Sequence, residues 1–344
     1  MCRSAAHFLP VALFGALLSA CSRSERGLTQ INFLLDWKPQ MEQAGFIVAD
    51  AKGYYREAGL SVTMSEGQGA TTTAMLVGSG QYPLGIASGG ATVIARSHGA
   101  AVVSIALVNQ RSPTVIFALA SSGIKTPSDL VGRKIGLTKT GVKYDEYRAL
   151  MRKLGIDRST ITEVDIRKAV APLLSGTVDA MLGYTEDQPV LVELEGREVT
   201  RIPMFRYGVN ILSTNVVANE SFLAEHPEVC RRFVEATLKG WKRAVESPDE
   251  AVLLYTERYP ASDQRFVRQN FRQFVPILFG PAVDSLGLGA QTLEEFRSTE
   301  QLLFDLGIIE SRVNAAAAFT NAFLPSAPVH VSPPENRGEK LFSG

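Results

Sequence analysis

The chain has 344 residues, 35 of them Lys or Arg and 35 Asp or Glu, so its formal net charge is zero. That balance, without a basic stripe, argues against a nucleic acid as partner, and the length asks for about two domains. Apolar residues are 45% of the chain, enough for ordinary soluble cores, and the histidines (His7, His98, His226, His330) lack metal-ligand spacing, which speaks against a structural metal site.

Arg3 gives a short basic start, and Phe8 to Leu18 is apolar without a break. That run is much shorter than the ~20 residues of a membrane-spanning helix and fits the core of a secretory signal. Leu18-Ser19-Ala20-Cys21 follows and resembles the bacterial lipobox, whose cysteine thiol receives a diacylglycerol. The resemblance implies a signal peptide over 1–20, lipidation at Cys21 and a polar tether over 21–30. The chain is then held to the membrane by its lipid, on the periplasmic side of the cell envelope. Cys2 leaves with the signal, which leaves Cys230 without a disulfide partner.

Strand and helix signals then alternate. Ile31–Leu35 reads as a buried strand and Glu42–Arg56 as a helix with Ala44, Ile47, Val48 and Ala51 at helical spacing. Leu60–Met64 is a strand, Thr71–Val77 a helix, Leu84–Ala87 a strand, Ala91–His98 a helix and Val102–Val108 a strand. This rhythm predicts a parallel sheet with helices on its faces. After a polar break at Asn109–Pro113, a second unit runs through strands Thr114–Ala120, Lys134–Leu137, Ile161–Val164, Asp179–Leu182 and Val199–Ile202. Helices Tyr144–Lys153, Val170–Leu174 and Val190–Leu194 lie among them, and Val209–Ser213 and Val216-Val217 read as extended. The remainder is helical over Glu228–Ser247, Asp249–Glu257, Asp263–Arg272 and Thr292–Leu306, the last with a capping box from Thr292 and Glu295.

The simplest assembly is an α/β protein of two lobes. Residues 31–110 and 216–324 form lobe 1, residues 111–215 form lobe 2, and 325–344 is a flexible tail. Two crossings, near Arg111-Ser112-Pro113 and Ser213-Thr214-Asn215, make a hinge with a cleft between the lobes. No Gly-x-Ser-x-Gly, phosphate-binding loop or paired-carboxylate signature points to an enzyme.

The segment from Leu35-Asp36-Trp37-Lys38-Pro39-Gln40 to Ala49 resembles the opening of the thiamine-pyrimidine and nitrate/sulfonate/taurine group of periplasmic binding proteins. Lys52-Gly53-Tyr54-Tyr55 to Val62, Gly132-Arg133-Lys134-Ile135-Gly136 and Leu174-Ser175-Gly176-Thr177-Val178-Asp179-Ala180 are similar to the same group. The resemblance implies a type II periplasmic-binding-protein fold. It also implies a non-enzymatic, monomeric solute-binding protein that works with the permease and ATPase of an ABC importer. Pyrimidine-precursor binders of the group show Trp-x-Pro-Asn and a histidine three residues on, where this chain has Gln40 and Gln43. The Trp-x-Pro-Gln form resembles a neighbouring branch and implies a flavin-like ligand as well as a pyrimidine. A sulfonate or other small organic anion is the alternative ligand, and the alternative roles are a pyrimidine-biosynthesis enzyme and a tethered sensor.

Ligands of open α/β sheets bind beyond the carboxyl ends of strands, and the candidate contacts fall there. Trp37 follows the first strand and offers an indole for stacking, with Gln40 to hydrogen-bond a ring edge. Ser88, Gly89 and Gly90 open a helix whose N–H groups suit an anion or a carbonyl, and Thr138, Thr140 and Gly141 are the matching element in lobe 2. Tyr184 is a second aromatic wall, Asp187 an acceptor or a helix cap, and Tyr207 a group closing the cleft near the return crossing.

Overall fold

The computed structural model describes residues 27–166 and 170–332. Cys21, the signal, most of the tether and the last residues of the tail lie outside that range. Ten strands form two sheets of five. The first contains β1 (Thr29–Leu34), β2 (Leu60–Ser65), β3 (Leu84–Ser88), β4 (Val102–Leu107) and, much later in the chain, β10 (Thr214–Asn219). The second contains β5 (Thr114–Leu119), β6 (Lys134–Leu137), β7 (Thr162–Asp165), β8 (Ala180–Tyr184) and β9 (Val199–Pro203).

The orders are β2-β1-β3-β10-β4 and β7-β6-β8-β5-β9. In both sheets the strand that follows a crossing is an antiparallel insert. β5 lies antiparallel to both β8 and β9, and β10 antiparallel to both β3 and β4. The parallel part of each sheet is covered by helices, which explains why its strands read as unbroken apolar runs. The carboxyl ends of β1 and β8 thereby meet across the gap between the sheets.

Lobe 1 is covered by the helix Pro227–Glu246. Cys230, Phe233, Thr237, Trp241 and Ala244 recur at helical spacing and face Phe33, Phe46 and Tyr55. Helices Pro248–Arg258 and Gln264–Phe274 follow onto the same core. The helix expected over 42–56 is broken. A 3-10 turn at Met41–Gln43 leads into Ala44–Ala51, and Gly53 at φ +76° precedes a single turn at Tyr54–Glu57. The apolar periodicity is continuous through the break, so only the backbone conformation reveals it.

The C-terminal part departs from the expectation in two places. The helix Leu293–Asp305 has the capping box foreseen, with Thr292 N–H donating to Glu295 Oε2 at 2.9 Å. It does not belong to lobe 1 alone, however. Phe296 and Leu303 pack with Leu107, Ile211 and Leu212, while Leu302 and Leu306 reach the lobe 2 core. It is a splint across the hinge. The tail is also ordered further than a loose extension from 325 implies. Val329 and Val331 pack on the lobe 1 core, and Leu288 N–H donates to the Val329 carbonyl.

Contact between the helices Ala44–Ala51 and Pro227–Glu246 is close enough to exclude a methyl group. A Cβ on Gly240 meets the Gly45 carbonyl at 2.1 Å, and one on Gly45 meets the Trp241 ring at 2.2 Å. Gly240→Ala is expected to destabilise the protein by at least the ~1–3 kcal/mol of an overpacked core. Urea unfolding of the variant checks this, and an unchanged midpoint contradicts the packing.

Candidate ligand-binding site

The cleft is built at the end of β1. Trp37, 39% exposed, follows Asp36 there. The loop is held by its backbone, with the Asp36 carbonyl accepting from Gly69 N–H at 2.7 Å and the Trp37 carbonyl from Gly67 N–H at 3.4 Å. Gly67 has no room for a side chain, since a Cβ falls 1.9 Å from the Leu35 carbonyl oxygen. Gln43, fully buried, organises the acidic groups around it. Its Nε2 donates to Asp36 Oδ1 at 3.2 Å and Glu42 Oε1 at 3.3 Å, and its Oε1 accepts from Gln40 N–H at 2.6 Å.

Lobe 2 meets this cluster with the loop after β8. Tyr184 is half-buried, and Lys143 Nζ lies 4.3 Å from its ring centre. Thr185 N–H donates to the Pro113 carbonyl at 2.8 Å, and Asn270 Nδ2 donates to the Glu186 carbonyl at 2.8 Å. The second bond runs from a lobe 1 helix to a lobe 2 loop and latches the lobes together. Glu186 is 2% exposed, and its Oε2 has no hydrogen-bond partner among the described residues.

Three carboxyl groups therefore face one another across the cleft. Burial pushes Asp36 up to about 6. Burial first, and then the charge of Asp36, push Glu42 up to about 8. Burial and the charge of Glu42 raise Glu186 well above the usual carboxylate range, opposed in part by Lys143. Burial, with Glu146, Glu42 and Glu186 adding to it, likewise raises the Tyr184 phenol. Gln43 lowers Asp36 and Glu42 in part, but burial outweighs it, so the cleft favours the protonated acids.

The remaining expected contacts fare unevenly. Asp187 stands at the start of the helix Gln188–Leu194 but makes no capping bond from its side chain. Its Oδ2 accepts from Gln188 Nε2 at 2.7 Å, and its charge reaches Glu42 and Glu186. Gln40 is exposed beside the cluster. Ser88 caps its own helix through Ala91 N–H at 2.9 Å, and the Gly89 and Gly90 amides donate to the Ser213 and Leu212 carbonyls. Those amides are thus committed to the return crossing and offer no anion cradle. Glycine is needed there because a Cβ meets Leu212 at 2.4 Å or Ile211 at 2.7 Å.

In lobe 2, the Thr138 hydroxyl donates to the Ile166 carbonyl at 3.0 Å, while Thr140 and Gly141 are exposed. Tyr207 packs on the lobe 2 core. A separate groove of about 1340 Å³, lined by Arg111, Ala149, Arg297 and Leu302 among others, contains none of the expected ligand residues.

Asp36, Glu42, Gln43, Lys143 and Glu186 were not singled out as contacts from the sequence. The signal lay close by: Asp36 adjoins Trp37, Glu42 sits two residues beyond Gln40, and Glu186 adjoins Asp187. Among the described residues, no helix is long and apolar enough to cross a membrane, and no group of His, Cys, Asp and Glu is placed to hold a metal ion.

Two α/β lobes, a double crossing and a latched cleft define a protein of the periplasmic-binding-protein fold. The chain belongs to the family described as NMT1/THI5 like, whose family model matches residues 40–251. It is 26% identical to the riboflavin-binding protein RibY of Chloroflexus aurantiacus, over 87% of this chain and 87% of that one. It is 26% identical to the formylaminopyrimidine-binding protein of Halalkalibacterium halodurans, over 91% of this chain and 96% of the relative. The aliphatic sulphonate binding protein SsuA of Escherichia coli has the same fold. Its TM-score is 0.68 at 14% identity, covering 89% of this chain and 97% of that one. Synthases of 4-amino-5-hydroxymethyl-2-methylpyrimidine phosphate are also similar in sequence.

The raised acids have a definite sign in a titration. A carboxyl raised in the folded state contributes stability that is complete below its unfolded pKa and is lost as pH rises through the folded one. With Asp36 at about 6 and Glu42 at about 8, the ligand-free protein is expected to lose stability steadily from mildly acidic to mildly alkaline pH. Glu42→Gln is expected to flatten that slope. Urea midpoints across the range check it, and an identical slope in the variant contradicts the carboxyl cluster.

Proposed function

We propose that the protein is a lipid-anchored solute-binding protein of an ABC importer that captures a small, N–H-bearing heteroaromatic compound in its interlobe cleft. A pyrimidine precursor of thiamine or a flavin-like molecule fits this description. The observation that carries the reading is the set of carboxyls with raised pKa, half-buried Asp36 and Glu42 and buried Glu186, beside Trp37 and Tyr184. Carboxylates are acceptors. Asp36 and Glu42 share the single donor group of Gln43, and Glu186 Oε2 has none among the described residues, so a ring with amino or ring N–H groups supplies further donors. The flat faces of Trp37 and Tyr184 supply stacking surface from the two lobes. A sulfonate brings a further negative charge and no donor, and the Gly89 and Gly90 amides that suit it are already bonded.

The names of the two binding-protein relatives agree with a heteroaromatic ligand. The synthase relatives raise an enzymatic reading. Against it, Gln43 stands where pyrimidine-binding members have a histidine, and the buried Cys230, its thiol pushed up to about 12 by desolvation, is no nucleophile. Cys21 is the proposed anchor, the periplasmic side of the envelope the proposed location, and a permease with its ATPase the proposed partner. Loss of radiolabelled palmitate from a Cys21→Ala chain tests the anchor. Undiminished labelling contradicts it.

Calorimetry tests the ligand. With a 4-aminopyrimidine, riboflavin and ethanesulfonate, an anion without an N–H donor, as titrants, one of the two heteroaromatics is expected to bind. Trp37→Ala weakens it roughly tenfold to a hundredfold, the ~1–3 kcal/mol of one stacking face. Glu186→Gln weakens it by roughly tenfold or more, as for a hydrogen bond to a charged group. Ethanesulfonate binding that is insensitive to Trp37→Ala contradicts the reading.

A further inference from the structure

Beneath the cleft lies a further acid, apart from those three. Glu146, on the helix Val142–Leu154, is wholly buried. Its Oε2 is 2.8 Å from Ser112 Oγ, on the outward crossing, and its Oε1 accepts from Ile211 N–H at 3.0 Å, on the return crossing. Asn210 ties the same two segments, accepting from Ser112 N–H at 2.6 Å and donating to the Gln110 carbonyl at 3.2 Å. The network continues into the cleft wall. Ser112 Oγ also accepts from Thr114 N–H at 3.2 Å, and Thr114 is the residue directly opposite Tyr184 in the β5–β8 pairing.

We infer that Glu146 is the positioning residue of the hinge: as a neutral acid it fastens both crossings to the strand pair that carries Tyr184, and its ionisation loosens the clasp so that the lobes part. The neutral form satisfies every neighbour. The Ser112 hydroxyl donates to an ionised Glu146 at 2.8 Å; on protonation the acid O–H reverses that bond and donates to Ser112 Oγ, freeing the serine proton for Thr114 Oγ1 at 3.2 Å, while the other carboxyl oxygen keeps the Ile211 amide. The ionised form keeps the hydrogen bonds but strands a charge out of water. Opening the hinge hydrates that charge.

Hydrogen bonds from the Thr114 side chain, the Ile211 amide and Ser112 offset part of that cost, but less than burial adds. Asp145 on its own helix is of like sign, and Tyr184 on β8 has its phenol raised by the charge of Glu146. The other groups that bond this network, Ser112, Asn210, Thr114 and the Ile211 amide, are not ionisable here. The helix Leu293–Asp305 contributes Thr299, which accepts from Leu212 N–H. Arg111, next to Ser112, turns to the Phe205 ring and feels Asp284 and Arg206. Burial pushes Glu146 up to about 7. A raised acid favours the closed state at low pH and loses that effect as pH rises through its closed-state value.

Amide exchange of the full chain, without ligand, tests the inference at the two hinge amides, Ser112 and Ile211. After correction for intrinsic rates, exchange in the wild type is expected to rise about tenfold between mildly acid and mildly alkaline pH, the scale of one such hydrogen bond. Glu146→Gln, whose amide reproduces both bonds without a charge, is expected to stay slow throughout. Glu146→Ala is expected to be fast throughout, with a larger radius of gyration in solution scattering. Asp36, Glu42 and Glu186 titrate in all three proteins, so the difference between them isolates Glu146. A flat wild-type profile, or a Glu146→Gln profile that rises like the wild type, overturns the inference whether or not Glu146→Ala folds. No ligand enters the test, so its failure leaves the ligand reading standing, and failure of the calorimetry leaves the hinge standing.

Discussion

The return of β10 to an antiparallel place between β3 and β4 is the constraint on which the rest depends. Lobe 1 cannot complete its sheet until the chain has left, built lobe 2 and come back. That single requirement makes the second crossing unavoidable. β5 does the same in lobe 2, and so each lobe is closed by the strand that enters it from the other. A hinge of two strands of chain can rotate without either lobe losing its core. The helix Leu293–Asp305 and the Asn270 latch then limit how far the lobes travel.

From this geometry the electrostatics of the cleft follow. The carboxyl ends of β1 and β8 carry Asp36 and the Tyr184–Asp187 loop, and closure brings their acids out of water together. Without a ligand, closure therefore works against desolvation and like-charge repulsion, and protonation relieves part of that cost. A ligand rich in N–H groups relieves it in another way, by supplying donors to the carboxylates. A protein that closes fully only when its donors arrive discriminates by the cost of leaving an acceptor unpaired, which exceeds the net value of the bond itself. Glu146 adds a second control at the pivot, one that acts on closure and does not touch the ligand.

Much of this was legible in the sequence. The strands of both lobes appear as short apolar runs, and the Thr292–Glu295 capping box marks the start of its helix. The places of Trp37 and Tyr184 follow from the rule that sites lie beyond strand ends. What escaped was set by tertiary partners. Gly89 and Gly90 look like a phosphate-type turn, but the reason for glycine is the approach of Leu212 and Ile211 from far along the chain. Val209 to Ser213 reads as a strand because it is apolar, whereas Ile211 and Leu212 are apolar because they pack under the splinting helix at a crossing. Glu146 has a charged neighbour in Asp145 and looks like part of a solvated face. Only the arrival of Ser112 and Ile211 reveals its role.

The central claim is that the cleft selects donors over anions. Mass spectrometry of the compound that copurifies with the native protein, released by denaturation, tests it most directly because no candidate has to be chosen in advance. The account predicts a planar heterocycle bearing amino or ring N–H groups. Recovery of a sulfonate or another small anion as the bound compound contradicts it.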